Sequence, residues 1–312
     1  MRVLSDKYIA GFLDSDGSIY IDRNKKLWME FIQKLSNDGV IERIHQAIGK
    51  GSMLVCKSKR RGVVGYSRRI KLHGQPAIDI LCRLKPFMVT KRRKANSFLR
   101  ELGFIERIST DSIPTHPSRS WLSGYFDGDG CIYACANKHG GTASVKVSID
   151  SNTDETAGLE LVKKAFGGVI ETRGNGNNIR WTLRLDAAKA IKFLSYIAPR
   201  LLIKREQAHF VLACATMGHF RDGETIARIL RDMKTHPHRL NDLTSEVDIS
   251  SYYAMVRDLP ATDGHRYRHY DGQVCLVCGS EKYYAKGKCK NCWQNERYHA
   301  AKGEATVGTT LL

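Results

Sequence analysis

Two stretches of this 312-residue chain carry a pair of aspartates in nearly the same setting: YIAGFLDSDGSIY at residues 8–20 and WLSGYFDGDGCIY at residues 121–133. Two carboxylates flanking one small residue could hold calcium, end a helix, or supply oxygen ligands to a catalytic metal. A calcium loop needs glycine at its sixth position and glutamate at its twelfth. Counted from Asp14 or Asp127 the glycine comes fourth, and position twelve is Lys25 or Lys138, so the calcium reading fails. A helix stop accounts for Gly17 and Gly130. It does not account for two carboxylates at the negative end of a helix dipole, which is unfavourable without a compensating cation. The repetition therefore favours a metal centre with Asp16 and Asp129 as ligands. Magnesium binds in this way, through a few carboxylates with phosphate oxygens and water. Such a centre activates water and stabilises the leaving oxygen of a phosphodiester.

The motifs belong to a longer repeat. Gly11 and Gly124 are 113 residues apart (124 − 11), and so are Asp16 and Asp129, Pro86 and Pro199, and Lys91 and Lys204. Four landmarks in register predict a duplicated unit of about 110 residues. Each copy opens with a short helix, Asp6–Asp14 or Ser120–Asp127, capped by Ser5 or Asp6 and by Ser118 or Ser120. Alternating stretches follow, SIYIDR with KLWMEFIQKLS and CIYACAN with TASVKVSIDS, which suit paired strands with one buried face. A glycine-stopped helix and a second strand pair come next. Two further helices close each copy, near Gln75–Leu84 and Thr90–Glu106, then near Asp186–Tyr196 and Arg200–Met217. The predicted class is α+β, with the order αββαββα occurring twice. Ala10–Gly11 and Ser123–Gly124 are small residues in short helices that can ill spare a glycine. They predict that the two helices pack closely on each other, bringing their aspartate ends together.

The expected domains are residues 1–108 and 120–217 for the two repeats, with a Pro-containing linker at 109–119. Residues 218–270 form a helical connector; its two amphipathic stretches are separated by a segment long for a helix-turn-helix. A four-cysteine module is expected at 271–300, and a disordered tail at 301–312.

The formal charge is +18, from 50 Lys+Arg against 32 Asp+Glu. An extended polyanion is the partner that best offsets such an excess, which puts double-stranded DNA or RNA ahead of an anionic membrane. No apolar run reaches the roughly 18–20 residues needed to span a bilayer. With no signal-peptide layout at the N-terminus, the expectation is a cytoplasmic or organellar protein rather than a secreted one. Cationic residues gather on the second strand pair of each copy: Lys57, Lys59, Arg60, Arg61, Arg68, Arg69 and Lys71 in the first, and Arg173, Arg180 and Arg184 in the second. A solvated hairpin tip would look similar, but strands presenting Arg and Lys on one face can also track phosphates and read a major groove.

IAGFLDSDG and LSGYFDGDG resemble the two motifs of a LAGLIDADG homing endonuclease in its single-chain, two-repeat form, over roughly residues 5–217. The resemblance implies a pseudo-twofold monomer with a saddle of strands in the DNA major groove. It also implies metal-dependent cleavage of both strands at a long site, with short 3′ overhangs. Asp16 and Asp129 match the family's metal ligands, two or more magnesium ions being expected at the centre, and Asp14 and Asp127 match residues of the helix end and interface. Lys91 and Lys204 match a basic residue close to the active centre, suited to the attacked phosphate or its water network. A polar residue from the second strand often completes such a centre, and Glu30 and Ser148 align there. Differences between the halves imply an asymmetric target. The competing readings are a non-cleaving binder on the same scaffold, an intron RNA maturase or a transcriptional regulator. An intein is disfavoured by the terminal residues.

Of nine cysteines, Cys56, Cys82, Cys131, Cys135 and Cys214 are scattered among apolar neighbours and read as buried reduced thiols. The other four, Cys275, Cys278, Cys289 and Cys292, form Cys-x2-Cys, ten residues, Cys-x2-Cys. That spacing predicts one tetrahedral zinc ion. Lysines, two tyrosines and Trp293 among them suit phosphate contact and stacking, as in zinc modules appended to some endonucleases, although a protein-binding role competes.

Overall fold

Serine starts both helices that carry the aspartates. Ser5 accepts a hydrogen bond from the Tyr8 N–H (3.4 Å) at the head of α1 (Asp6–Asp14). Ser118 accepts one from the Trp121 N–H (3.2 Å) at the head of α5 (Arg119–Asp129). Each bond satisfies one of the four N–H groups that a helix start leaves unpaired.

In this computed structural model the described residues are 3–37, 39–60, 63–104, 114–136, 142–152, 156–173, 179–218, 220, 223–235, 283–285 and 288–289. They fall in two compact units, Met1–Gly264 and His265–Leu312. The first unit contains an α+β fold with two matching halves. After α1 come β1 (Gly17–Ile21), β2 (Leu27–Lys34), α2 (Gly39–Ile48), β3 (Ser52–Arg60), β4 (Val63–His73), α3 (Gln75–Leu84) and α4 (Arg92–Glu101). After α5 come β5 (Gly130–Ala136), β6 (Ala143–Asn152), α6 (Ala157–Phe166), β7 (Val169–Arg173), β8 (Arg180–Asp186), α7 (Ala188–Ile197) and α8 (Arg205–Met217). A further helix, α9 (Gly223–Thr235), follows. Each half builds one antiparallel four-stranded sheet, in the orders β1-β2-β4-β3 and β5-β6-β8-β7. No helix among the described residues is long and apolar enough to cross a membrane.

The strand pleat divides each sheet into a helix-covered face and an open one. Ile19, Met29, Phe31, Ile70 and Leu72 are buried on the first face, as are Ile132, Val147, Ile149, Leu183 and Leu185 in the second sheet. The row Ser18–Glu30–Lys71–Ser52 crosses the open face of one sheet, and Cys131–Ser148–Arg184–Val169 crosses the other. Glu30 and Ser148 therefore hold matching positions.

Helices α4 and α8 begin later than the sequence suggests. Pro86 and Pro199 sit in short 3-10 turns, Lys85–Phe87 and Ala198–Arg200. The N–H groups just beyond these turns donate to Asp14 and Asp127. The chain there is held by side chains, and helix resumes only at Arg92 and Arg205. The five scattered cysteines form no disulfide; Cys214 is buried and the other four are half-buried.

In the second unit, β9 (Tyr283–Ala285) pairs antiparallel with β10 (Lys288–Cys289), and β10 ends on the first cysteine of the second Cys-x2-Cys pair. Cys275, Cys278 and Cys292, residues 109–113 of the linker, and the second amphipathic stretch of the connector lie outside the described residues.

The two halves meet through α1 and α5. A Cβ added at Gly11 would lie 2.1 Å from the Trp121 carbonyl oxygen, and one at Gly124 would lie 2.1 Å from that of Tyr8. Ser123 plays a different part, its hydroxyl donating to Arg119 O and Ile197 O (2.9 and 3.1 Å) within its own half. Because the obstructing atoms are backbone, Gly11→Ala and Gly124→Ala are each expected to cost at least about 3 kcal/mol, the upper range for overpacking. Gly65→Ala, whose nearest neighbour would be Ser58 Oγ at 3.5 Å, is the near-neutral control. Chemical denaturation of the three variants checks both expectations.

Candidate active site

The carboxylates at the ends of α1 and α5 do two different jobs. Asp14 is 2% exposed and accepts from Val89 N–H (2.7 Å), Lys91 N–H (2.8 Å) and, across the interface, Trp121 Nε1–H (2.9 Å). Asp127 is fully buried and accepts from Leu202 N–H (2.7 Å), Ile203 N–H (3.2 Å), Lys204 N–H (3.0 Å) and, from the other half, Tyr8 Oη–H (2.6 Å). Each half thus donates one aromatic hydrogen bond to the other half's aspartate. Burial raises the pKa of both carboxyls, with these donors pulling the other way.

Asp16 and Asp129 lie two residues further on, where α1 and α5 end together. A Cβ on Gly128 would sit 2.0 Å from Ser15 Oγ and 3.1 Å from the Asp16 nitrogen, so the two motif ends are in contact. Asp16 accepts from Gln33 Nε2–H (2.8 Å). Burial raises its pKa, opposed chiefly by Lys204. Asp129 is pushed up to about 7, by burial first and then by the negative charge of Asp16. A carboxylate whose proton affinity is raised by a neighbouring carboxylate in a partly dry site marks a place where a cation is electrostatically favoured.

The lysines of the Pro-x4-Lys elements face these helix ends. Lys91, 7% exposed, donates from Nζ to Leu13 O (3.0 Å), Ser15 O (2.9 Å) and Gly17 O (2.8 Å). Lys204 Nζ donates to Asp127 O and to Gly128 O (3.3 Å). Both ammonium groups therefore neutralise carbonyls at a negative helix end. Burial lowers the pKa of Lys204, while Asp127, Asp16 and Asp129 oppose the change.

Glu30 is not brought to Asp16. Its carboxylate accepts from Arg69 Nη1 (3.0 Å) and lies 3.5 Å from Lys71 Nζ on the open face, with the Tyr20 hydroxyl at 3.3 Å. Gln33, three residues later on the same strand, has opposite pleat parity and reaches Asp16. Counting alternation along LWMEFIQK was the signal available in the sequence. The pleat also divides the basic residues. Arg69, Lys71, Arg180 and Arg184 share the open faces, where Arg184 pairs with Glu171 (2.8 Å) and Asp186 (3.3 Å). Arg68 lies on the helix side and pairs with Glu42 of α2, and Lys57 is on that side by register. This corrects the expectation of a single cationic face, since neighbours on a strand point opposite ways. Lys59 and Arg60 close β3, Arg173 closes β7 opposite Arg180, and Arg61 lies outside the described residues.

A polar cleft opens at the junction of the halves. Asp129, Asp150, Ser151 and Arg180 line one side, and Ser15, Ser18, Lys91 and Lys94 the other. Asp150 accepts from Thr182 Oγ1–H (2.7 Å). Gln33, Asp150 and Ser151 were not singled out in the sequence, because only the register of β2 and β6 brings them to the motif ends, and Lys94 arrives with the docking of α4.

A carboxyl whose folded pKa is raised binds more protons folded than unfolded between the two values. Its contribution to stability is complete below the ordinary aspartate range and is lost as pH rises through about 7 for Asp129. Without divalent metal, the advantage of wild type over Asp129→Asn should therefore shrink from pH 4 to pH 8. Thermal unfolding of both proteins in chelator checks this.

Residues 122–216 match the family model described as LAGLIDADG endonuclease. Among solved structures, the chain is similar to the I-SmaMI LAGLIDADG homing endonuclease bound to cleaved DNA, at 14% identity over 75% of this chain and 98% of that one (TM-score 0.51). It is also similar to the homing endonuclease I-GzeII in complex with its DNA target, at 12% identity over 80% and 97% (TM-score 0.50). The meganuclease I-AabMI bound to uncleaved DNA matches at 14% identity over 73% and 98% (TM-score 0.50). No curated protein matches the sequence significantly. At these identities the structural likeness concerns the fold. The family match lies in the second half, and the chain has the α+β LAGLIDADG fold.

Proposed function

We propose that this chain is a site-specific DNA endonuclease that hydrolyses one phosphodiester in each strand of a long, asymmetric duplex site. The observation that carries the reading is the meeting of Asp16 and Asp129 at matched helix ends, beside two sheets whose open faces present Arg69, Lys71, Arg180 and Arg184. The relatives in fold include proteins bound to uncleaved and cleaved DNA, which supports DNA as the polyanion that the net charge of +18 calls for. A single chain, acting as a monomer in the cytoplasm or an organelle, supplies both halves. Residues 1–108 and 120–217 are the two repeats.

The residues fit a divalent cation. Asp16 and Asp129 are close enough to raise the proton affinity of one of them, and no group of three His, Cys, Asp or Glu is gathered among the described residues. Magnesium suits that donor set, since it binds through one or two carboxylates and takes its other oxygens from water and phosphate. When bound, magnesium would supply Lewis-acid stabilisation and a water of lowered pKa. The protein's own groups do the rest. Asp14, Asp127, Lys91 and Lys204 fix the two helix ends, so that the ligand carboxylates are preorganised. Gln33 orients Asp16. Lys94 and Arg180 flank the cleft and suit the scissile phosphate. Arg69, Lys71, Arg180 and Arg184 would place the strands along the groove.

For the C-terminal module we propose one zinc ion held by Cys275, Cys278, Cys289 and Cys292, extending the DNA footprint. The reading rests on the Cys-x2-Cys, ten residues, Cys-x2-Cys spacing of the sequence.

The uninterrupted DNA flanking the gene is the first substrate to test. With magnesium it should be cut in both strands, and Asp16→Asn or Asp129→Asn should lower cutting by more than about 100-fold, beyond the 10–100-fold typical of outer-shell partners. Retained binding with no cutting by the wild type would instead favour a non-cleaving binder, whether an intron RNA maturase or a regulator. Replacing Cys275 and Cys278 with serine should remove about one equivalent of zinc, measured by atomic absorption.

A further inference from the structure

The two halves of the centre are not equally open. Matching the sheets row by row pairs Ser18 with Cys131, Asp150 with Ile32 and Arg180 with Ser67. The 113-residue offset pairs Lys94 with Gln207. On the Asp129 side, Ser18, Lys94, Asp150 and Arg180 are all exposed and line the cleft. On the Asp16 side, each counterpart has lost its charge or its access. Ile32 carries no ligand, and Ser67 carries no cation. Gln207 is 8% exposed and donates from Nε2 to Leu230 O of α9 (3.3 Å). Cys131 is half-buried, with Lys234 Nζ of α9 at 3.4 Å from its sulfur.

Helix α9 is what breaks the symmetry. Among the described residues no helix corresponds to it between α4 and α5. It packs on β5, β6 and α8, with Ile226, Ile229, Leu230 and Met233 buried. Gly223 starts it against the backbone of Ala136 and Thr142, where an added Cβ would lie 2.6 Å from Thr142 O. The helix therefore engages Cys131 and Gln207, the counterparts of Ser18 and Lys94, which remain open on the Asp129 side.

We propose that the two DNA strands are cut in a fixed order, the first phosphodiester entering the open cleft of Lys94, Asp129, Asp150 and Arg180, while α9 delays the second cut. This rests on the endonuclease reading above. In each cut, water adds to phosphorus, the bond from phosphorus to the leaving sugar oxygen breaks, and that oxygen ends protonated. Asp150 lines the same cleft as Asp129 and adds negative potential there, which favours a cation in the first-cut half, and Lys94 and Arg180 bind its phosphate.

The test uses the full chain and its cognate duplex, with a different fluorophore on each strand, and follows both cuts under single-turnover conditions. The expected result is a nicked intermediate, with one strand ahead by roughly tenfold or more. Asp150→Asn should slow that strand by roughly 10–100-fold, and should weaken Mn²⁺ binding to the DNA-free protein, read by electron paramagnetic resonance, over a similar range. Lys234→Ala combined with Gln207→Ala should speed the second cut and leave the first unchanged; circular dichroism confirms the fold. Equal rates for both strands in the wild type would overturn the ordering and leave the endonuclease reading intact. So would an Asp150→Asn protein with unchanged strand bias and Mn²⁺ affinity. Binding with no cut in either strand would overturn both.

Discussion

Everything in the candidate site depends on how closely α1 and α5 approach. Gly11 and Gly124 let each helix press its backbone against the carbonyl of the other, at a separation that admits no side chain. Given that contact, Trp121 reaches Asp14 and Tyr8 reaches Asp127, and both helix ends arrive at one point. Hydrogen bonds to buried carboxylates are among the stronger ones, and losing one partner leaves a costly unpaired charge. The crossed pair therefore fixes the halves in register as well as in contact. Packing, rather than a loop, sets the distance between Asp16 and Asp129.

The arrangement concentrates negative potential deliberately. Two helix C-termini and four aspartates converge, and burial raises the pKa of all four carboxyls. Lys91 and Lys204 offset the carbonyls, and Asp14 and Asp127 are satisfied by backbone N–H groups and aromatic donors. Asp129 lines the cleft, and its repulsion with Asp16 is one that a divalent cation would relieve. The scaffold is thus stable as folded and electrostatically incomplete at one place, which is where phosphate and metal chemistry would act.

Much of this was legible in the sequence because it is local or repeated. The 113-residue offset, the span Asp6–Asp14 and the serine caps could be read from spacing and capping arguments, whereas the different parts of the two aspartates in each D-x-D-G came from the family resemblance. What escaped depended on parity and on contacts between distant segments. Glu30 aligns with the second-strand polar position of the motif, yet Gln33, an odd number of residues further on and so on the opposite face, is what reaches Asp16. Lys57–Lys71 looked like one cationic face until the pleat turned Arg68 toward Glu42. The late starts of α4 and α8 follow from Asp14 and Asp127 capturing backbone N–H groups about 75 residues away in sequence. The packing of α9 over Cys131 and Gln207 leaves no trace in local periodicity, since GETIARILRDMK reads as an amphipathic helix wherever it docks.

The central claim is that one shared centre is built where the two helix ends meet. A crystal structure of the chain with its DNA target and Ca²⁺, which occupies such sites without supporting turnover in many magnesium enzymes, tests it most directly. The account predicts cation density bridging Asp16 or Asp129 and a backbone phosphate, with Asp14 and Asp127 still held by Trp121 and Tyr8. Cations bound elsewhere, with Asp16 and Asp129 remote from the DNA, would contradict it.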